Sequence, residues 1–220
     1  MRLAELRAEV VYYAKKMYDS QLVRATQGNL SARDSATGLI CITPSGADYQ
    51  SMTAEDIVVV DEHGTVIEGK WKPSLETPLH TLIMRRRQDV QCVMHNHSPY
   101  ATAFGVVYQP LPMILAESAL ALGGEVPIAP YRMSGTPEFA ELVADTLGDR
   151  PAVIWGNHGA MVVGASLSQT FSIAHALEDS ARIYTIAKQL GNPVILPPEE
   201  VEKLHQFWLH EYGQKALQAK

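Results

Sequence analysis

The sequence has only two cysteines among its 220 residues, and this scarcity limits the sites it can build. Cys41 and Cys92 each lie in an apolar run, so neither a disulfide framework nor a thiolate zinc site is expected. No uncharged stretch approaches the roughly 20 residues that span a bilayer. The first helical segment carries charges throughout, unlike a signal peptide. We therefore expect a cytoplasmic protein that does not act at a membrane.

Basic residues are also in the minority, with 18 lysines and arginines against 24 acids and a formal net charge of -6. This balance argues against a broad nucleic-acid surface but leaves room for a local anion site. The apolar share of 46% excludes a disordered chain or a fibrous repeat. Because no linker or charge block divides the sequence, we predict that residues 1–220 form one domain.

Hydrophobic spacing predicts short strands interleaved with helices. Thr136 and Pro137 have the residue types of a helix start, and residues 168–190 form a long helix that ends at Gly191. A last helix is predicted over about residues 199–210. Since hairpins join several of the strands and helices flank them, we expect an α/β fold with helices covering a sheet that is not strictly parallel.

Histidine is the plentiful residue for chemistry, with eight copies. His95 and His97 are two positions apart at the end of a predicted strand, so both imidazoles point to one face and can reach one ion. His158 follows another apolar strand in a glycine-flanked turn. Three imidazoles are a common ligand count for catalytic zinc. The alternatives are a polar strand end and a hydrogen-bonding turn.

The other five histidines have weaker signals, and we expect structural or surface roles for His63, His80, His175, His205 and His210.

Glu76 begins a predicted amphipathic helix, where its carboxylate is either a favourable charge for the helix dipole or, if it faces a metal, a candidate base. Three turns rich in small hydrogen-bonding residues could bind an anion through N–H and hydroxyl groups. Each of these turns alone is ordinary turn chemistry. Their candidate residues are Gly28, Asn29, Ser45, Gly46 and Ser74.

Five short motifs occur in order along nearly the whole chain. They are Gln27-Gly28-Asn29-Leu30-Ser31, Ile42-Thr43-Pro44-Ser45-Gly46, Lys72-Pro73-Ser74-Leu75-Glu76, His95-Asn96-His97 and Asn157-His158-Gly159. In this order and spacing they resemble the class II aldolase/adducin family. The resemblance implies a three-layer α/β/α domain with a mixed, largely antiparallel sheet, a C4 homotetramer, and one Zn²⁺ per subunit that Mn²⁺ or Co²⁺ could replace.

The resemblance also assigns roles to particular residues. It implies that His95, His97 and His158 bind zinc, that Glu76 is an acid/base, and that the three turns bind phosphate. Leu75 stands where family members carry a second serine, which removes one hydroxyl from the phosphate site. Glu117 and Tyr212 correspond to catalytic positions, and the tail of about residues 199–220 is expected to complete a neighbouring subunit's site.

These correspondences predict an aldehyde-lyase, that is, a zinc-dependent aldolase of carbohydrate metabolism. The expected reaction is the reversible cleavage of a small ketose 1-phosphate, such as L-fuculose 1-phosphate, to dihydroxyacetone phosphate and an aldehyde. A 4-epimerase, a dehydratase or a decarboxylase could use the same site. A scaffold like adducin and a sugar-phosphate binding module are the alternatives without catalysis.

Overall fold

The computed structural model describes residues 1–211 of the chain, which build one sheet between two layers of helices. The helices of this part of the chain are α1 (Ala4–Asp19), α2 (Thr77–Arg86), α3 (Pro99–Val107), α4 (Ala116–Leu122), α5 (Pro137–Leu147), α6 (Leu167–Leu190) and α7 (Pro198–His210). The strands are β1 (Asn29–Arg33), β2 (Ile40–Ile42), β3 (Val58–Val60), β4 (Val66–Glu68), β5 (Cys92–Asn96), β6 (Ile128–Ala129), β7 (Ala152–Trp155) and β8 (Ala160–Gly164).

The strands are hydrogen-bonded in the order β4-β3-β2-β1-β5-β8-β7-β6. Every neighbouring pair is antiparallel except β6 and β7, which are parallel. The predicted α/β fold with a mixed, largely antiparallel sheet is therefore confirmed. The strand order also places β5, which carries His95, between β1 and β8 at the centre of the sheet.

Each face of the sheet has its own apolar core, because successive side chains of a strand point to opposite faces. In β5, Cys92 and Met94 pack on the side of α1 and α6, whereas Val93 packs on the side of α2 and α5. His95 is two residues beyond Val93, so it shares the α2 and α5 side. Both cysteines are free and buried, and burial raises the pKa of each thiol to about 12.

Helices α6 and α7 begin within about one residue of the predicted starts and end where predicted, but no helix was predicted at the position of α4. Helix α4 is only seven residues long and has no side-chain cap at its start, so its local signal is weak. It is held in place by tertiary contacts, among them His205 Nδ1 of α7, which lies 2.8 Å from the Leu120 carbonyl oxygen. None of the helices within residues 1–211 is long and apolar enough to cross a membrane.

Candidate metal and substrate site

Three histidine side chains converge at one end of β5 and β8. His95 and His97 come from the end of β5, and His158 comes from the turn that joins β7 to β8. The Nε2 atoms of His95 and His97 are 2.9 Å apart. One candidate ligand atom of each of the three residues lies within 4.8 Å of the others. The arrangement brings together the three histidines that the sequence analysis selected, and they could hold a metal ion.

A buried carboxylate faces this histidine cluster. Glu76 is the residue just before α2, and only 5% of its surface is exposed. Its Oε2 atom is 3.7 Å from His95 Nε2, and its Oε1 atom is 3.9 Å from His158 Nε2. Asn29 of β1 donates a hydrogen bond of 2.8 Å to Oε2. Glu76 is thus held by a neighbouring strand with its carboxylate directed at the imidazoles.

Burial controls the protonation of these groups. Desolvation lowers the pKa of His95 well below its ordinary value, lowers the pKa of His97 to about 4, and also lowers the pKa of His158. The same cause raises the pKa of Glu76 to about 7, against an opposing effect of the Asn29 hydrogen bond. The imidazoles are therefore neutral near pH 7, which leaves a nitrogen lone pair free on each ring.

The chemistry of the cluster fits a divalent metal. His95 Nδ1 donates to the Ala160 carbonyl oxygen at 2.9 Å, so the lone pair of this neutral ring is on Nε2, which faces His97 and Glu76. Tetrahedral zinc with Zn–N bonds of about 2.0–2.1 Å requires nitrogens roughly 3.3 Å apart. The 2.9 Å between the Nε2 atoms of His95 and His97 is within about 0.5 Å of this value.

Asn29 contributes a second feature that points to a ligand. Its side-chain oxygen is buried and has no hydrogen-bond partner within residues 1–211. A buried acceptor without a partner is costly unless a bound group supplies a donor. The amide nitrogen of Asn29 therefore donates to Glu76, and its amide oxygen is available to accept a hydrogen bond from a hydroxyl of a substrate.

A polar cavity of about 170 Å³ opens over the cluster. Its walls include all five residues predicted to bind phosphate, together with Glu76 and the three histidines. Gly28 has a φ of +76°, and a Cβ there would lie 2.7 Å from the His95 carbonyl oxygen, so only glycine fits. The N–H groups of Ser45 and Ser74 already donate to the carbonyls of Lys72 and Thr43. An anion would therefore rely on the serine hydroxyls and on other N–H groups of the turns.

Of the other two predicted catalytic residues, only Glu117 belongs to the described part of the chain. Glu117 is exposed on α4 and does not line the cavity, so within one chain the structure does not bring it to the histidines. Tyr212 lies outside the described residues. The roles of both residues stay predictions.

Three residues that line the cavity were not among the predicted site residues, namely Thr26, Pro44 and Ser134. Thr26 and Pro44 adjoin predicted phosphate turns, and this adjacency could have indicated them. Ser134 is in the segment before α5 and far along the chain from the other wall residues, so no local signal marks it.

The fold and this site together define a class of proteins in which an α/β/α framework carries a cluster of three histidines that could hold a metal ion. The sequence profile described as Class II Aldolase and Adducin N-terminal domain matches residues 8–185. A 5-deoxy-D-ribulose 1-phosphate aldolase from Bacillus thuringiensis serovar kurstaki is 37% identical over 215 residues, which cover 98% of this chain and all of the relative.

Two further comparisons agree with this result. A solved L-fuculose 1-phosphate aldolase superimposes with a TM-score of 0.91 at 36% identity, covering 95% of this chain and 98% of the other. An L-ribulose-5-phosphate 4-epimerase from Salmonella paratyphi B is 30% identical over 89% of this chain and 90% of its own length. The chain belongs to the class II aldolase and adducin family, and it is an aldehyde-lyase. Class II aldolases depend on a metal, and the three-histidine group is a suitable place for one.

Proposed function

We propose that this enzyme reversibly cleaves a small ketose 1-phosphate to dihydroxyacetone phosphate and an aldehyde, with Zn²⁺ bound by His95, His97 and His158. The observation that carries the proposal is the buried Glu76 carboxylate 3.7–3.9 Å from two of these imidazoles, inside a cavity walled by serine and glycine turns. The full-length similarity to 5-deoxy-D-ribulose 1-phosphate aldolase makes a 5-deoxypentulose 1-phosphate the first substrate to test.

The phosphate end of the substrate would bind at the turns. Gly28, Ser45, Gly46 and Ser74 line the same cavity as the histidines, so a phosphate held there leaves the sugar carbons beside the cluster. Leu75 lies beside these residues and is 72% exposed. Its apolar side chain offers no hydroxyl, so phosphate binding would depend mainly on Ser45 and Ser74.

The histidines would bind the metal as neutral ligands, with His95 oriented by its bond to Ala160. When bound, the metal supplies a Lewis acid that draws electron density from the ketone oxygen of the substrate. Asn29 Oδ1 can accept a hydrogen bond from a substrate hydroxyl at the same end of the cavity.

Glu76 would move the proton at the reacting carbon. In the cleavage direction the C3–C4 bond breaks, its electron pair stays on C3 of the three-carbon fragment, and the C4 hydroxyl loses its proton as the aldehyde forms. Protonated Glu76 then delivers a proton to C3 and recovers one from solvent. Burial and the Asn29 hydrogen bond hold the carboxyl in place for this transfer.

The proton of the C4 hydroxyl would pass to Tyr212 or Glu117 of a neighbouring subunit in a C4 homotetramer. Two observations support a shared site. Glu117 is exposed and lies away from the cavity of its own chain. Helix α7, which leads into the tail, packs against α4, which carries Glu117. The described part of the chain therefore ends in the helix that packs against α4, which supports a site shared between subunits.

A 4-epimerase is the second candidate, favoured by the 30% identity with L-ribulose-5-phosphate 4-epimerase. The same bond would break and form again after the aldehyde turns its other face. To separate these reactions, the purified zinc enzyme is incubated with 5-deoxyribulose 1-phosphate, L-fuculose 1-phosphate and L-ribulose 5-phosphate, and the products are identified by NMR. Dihydroxyacetone phosphate plus aldehyde supports the aldolase, whereas inversion at C4 supports the epimerase. Loss of water or carbon dioxide would reveal a dehydratase or a decarboxylase.

Replacement of Glu76 tests its role directly. We expect Glu76→Gln to lower turnover by about 10²–10⁴-fold, because the amide cannot transfer the proton, and to retain zinc, because three histidines remain. Metal content is measured on the same sample. Glu178→Gln is the matched control, since Glu178 is a partly buried carboxylate that accepts from the N–H groups of Tyr100 and Ala101 away from the cavity. Near wild-type turnover by zinc-loaded Glu76→Gln would contradict the assignment.

A further inference from the structure

A buried indole ring lies flat against one of the proposed metal ligands. Trp155 is the last residue of β7 and is 1% exposed. Its ring stacks on the imidazole of His95 with centroids 4.1 Å apart and an interplanar angle of 16°. The same indole meets the His158 ring edge-on, at 5.0 Å and 64°. Trp155 therefore contacts two of the three histidines in the cluster.

The stacking of the indole on His95 limits a tilt of the imidazole ring that the hydrogen bond at Nδ1 does not prevent. The bond from Nδ1 to the Ala160 carbonyl oxygen anchors one edge of the imidazole. The Nε2 atom also lies within hydrogen-bond distance of His97 Nε2, at 2.9 Å, but two nitrogens that both bind a metal cannot hydrogen-bond each other. With metal bound, the single bond at Nδ1 would allow the ring plane to tilt about that anchor and move Nε2 away from His97 and Glu76. The indole covers one face of the imidazole and blocks the tilt in that direction.

The position of Trp155 is itself well determined. Phe139 of α5 packs edge-on against the indole with centroids 4.8 Å apart. The backbone N–H of Trp155 donates to the Gly159 carbonyl oxygen at 2.7 Å, which closes the turn that contains His158. One residue thus connects the plane of His95 to the turn that presents His158.

A hydrogen bond from the indole Nε1 does not explain why a tryptophan occupies this position. Its Nε1 atom is buried and finds no hydrogen-bond partner in the described part of the chain. A purely apolar side chain would avoid that cost. The part of Trp155 that makes favourable contacts is its flat ring, which touches imidazoles of the site on one side and Phe139 on another.

We propose that Trp155 is a positioning residue of the metal centre, whose indole sets the plane of the His95 imidazole and the placement of His158. This inference rests on the proposed function, because it takes the three histidines to be the metal ligands. Trp155 would act through the histidines, because it contacts them and is not among the described residues that line the cavity.

The test measures the metal site rather than turnover alone. The zinc dissociation constant is obtained by competition with a chromophoric chelator, and the ligand geometry is read from the visible absorption bands of the Co²⁺-substituted protein. We expect Trp155→Leu to raise the zinc dissociation constant by about 10–100-fold and to change the Co²⁺ bands, as losses of residues that orient metal ligands do. Trp155→Phe, which keeps a flat ring, should recover most of both properties.

Two further variants separate positioning from general packing. Phe104→Leu removes a buried aromatic ring from the opposite core, where Phe104 packs against Tyr184, and should lower the melting temperature without changing either metal readout. If Trp155→Leu does not fold, Trp155→Met replaces it, because methionine fills more of the volume but has no ring plane.

The possible outcomes distinguish this inference from the function on which it rests. A zinc dissociation constant within twofold of wild type and unchanged Co²⁺ bands in Trp155→Leu or Trp155→Met would overturn the role of Trp155 alone. Equal effects of Phe104→Leu and Trp155→Leu on the metal would do the same. Zinc binding by His95→Ala as tight as that of wild type would instead overturn the metal centre, and the role of Trp155 with it.

Discussion

His80 is a fully buried residue of α2, about one helical turn after Glu76. Its Nδ1 atom is 2.7 Å from the hydroxyl oxygen of Ser31, and its Nε2 atom is buried with no hydrogen-bond partner in residues 1–211. Burial lowers the pKa of His80 to about 3. A structural or surface role was expected for this residue, and its complete burial against β1 excludes the surface role.

The depressed pKa of His80 predicts a loss of stability in acid. The unfolded chain takes up a proton at this residue below about pH 6.5, but the folded protein does not until the pH approaches 3. Stability due to His80 is thus complete above pH 6.5 and falls by up to about 1.4 kcal/mol per pH unit below it. We expect His80→Asn, which can keep a bond to Ser31, to have a shallower pH dependence.

The measurement is the free energy of urea unfolding of the metal-free protein between pH 5 and pH 7. Between these limits wild type should lose about 2 kcal/mol more than His80→Asn. His63→Gln, a change at an exposed histidine, is the control and should follow wild type. Parallel curves for wild type and His80→Asn would show that His80 does not contribute to the acid sensitivity.

The turn between β7 and β8 is the element that most directly shapes the cluster. Gly159 follows His158, and a Cβ at this position would lie 2.5 Å from the Asn96 carbonyl oxygen and 3.0 Å from Cε1 of His95. Such contacts are too short, so any side chain must push β5 and β8 apart at the point where their histidines meet. The glycine is required here by close approach between strands.

Replacement of Gly159 should therefore impair the metal site. We expect Gly159→Ala to weaken zinc binding by about 10-fold or more, because displaced histidines lose ligand geometry. Zinc affinity is measured by chelator competition, and circular dichroism verifies the fold. Gly124→Ala is the matched control, since a Cβ there meets no atom of residues 1–211 within 4 Å. Unchanged affinity in Gly159→Ala would mean that the strands can separate without moving the imidazoles.

Helix α5 shows an element whose start the sequence determines. The Thr136 hydroxyl accepts a hydrogen bond from the Phe139 N–H, and Pro137 occupies the first turn, as the local pattern predicts. Helix α4 is the opposite case. It has no side-chain cap, and it forms where α6 and α7 pack against it, so its residues alone do not indicate it. The local sequence is sufficient to predict a helix whose start is stabilised by a capping side chain. It is not sufficient where the helix is stabilised only by packing against other helices.

The proposed shared site makes the oligomer the functional unit of the molecule. If residues 212–220 act in a neighbouring subunit, a chain truncated after Glu211 should keep its zinc and lose most of its turnover. Mixing this truncated chain with Glu76→Gln subunits, followed by dissociation and reassembly, should restore activity. Each truncated subunit still contributes Glu76, and an adjacent Glu76→Gln subunit contributes the tail.

A site is complete only where a truncated subunit, which has Glu76, is next in the ring to a Glu76→Gln subunit that supplies the tail. If equal amounts of the two chains reassemble at random, about a quarter of the sites meet this condition, so about a quarter of wild-type turnover should return. Sedimentation velocity reports the oligomeric state, and each variant assayed alone provides the baseline. No recovery on mixing, with tetramers present, would place the action of the tail in its own subunit or exclude it from catalysis.

The site is partly readable from local sequence. The i, i+2 spacing in a strand indicates that His95 and His97 share a face, and the glycines around His158 indicate a tight turn. Ser134 and the indole of Trp155 could not be recognised this way. Ser134 reaches the cavity from the segment before α5. Trp155 has the local pattern of an ordinary apolar strand residue, and its contact with His95 follows only from the strand order, in which β7 lies two strands from β5.

The sequence by itself determined the interleaving of strands and helices, the Thr136 cap of α5, the small polar residues of the turns and the resemblance to the family. These properties depend on neighbours within a few residues or on motifs in fixed order. Only the tertiary structure decided that Asn29 holds Glu76, that Trp155 covers His95, and that α4 exists. Those contacts join residues far apart in the chain, and they arise from the pairing order of the strands and from packing across the sheet, which no local periodicity encodes.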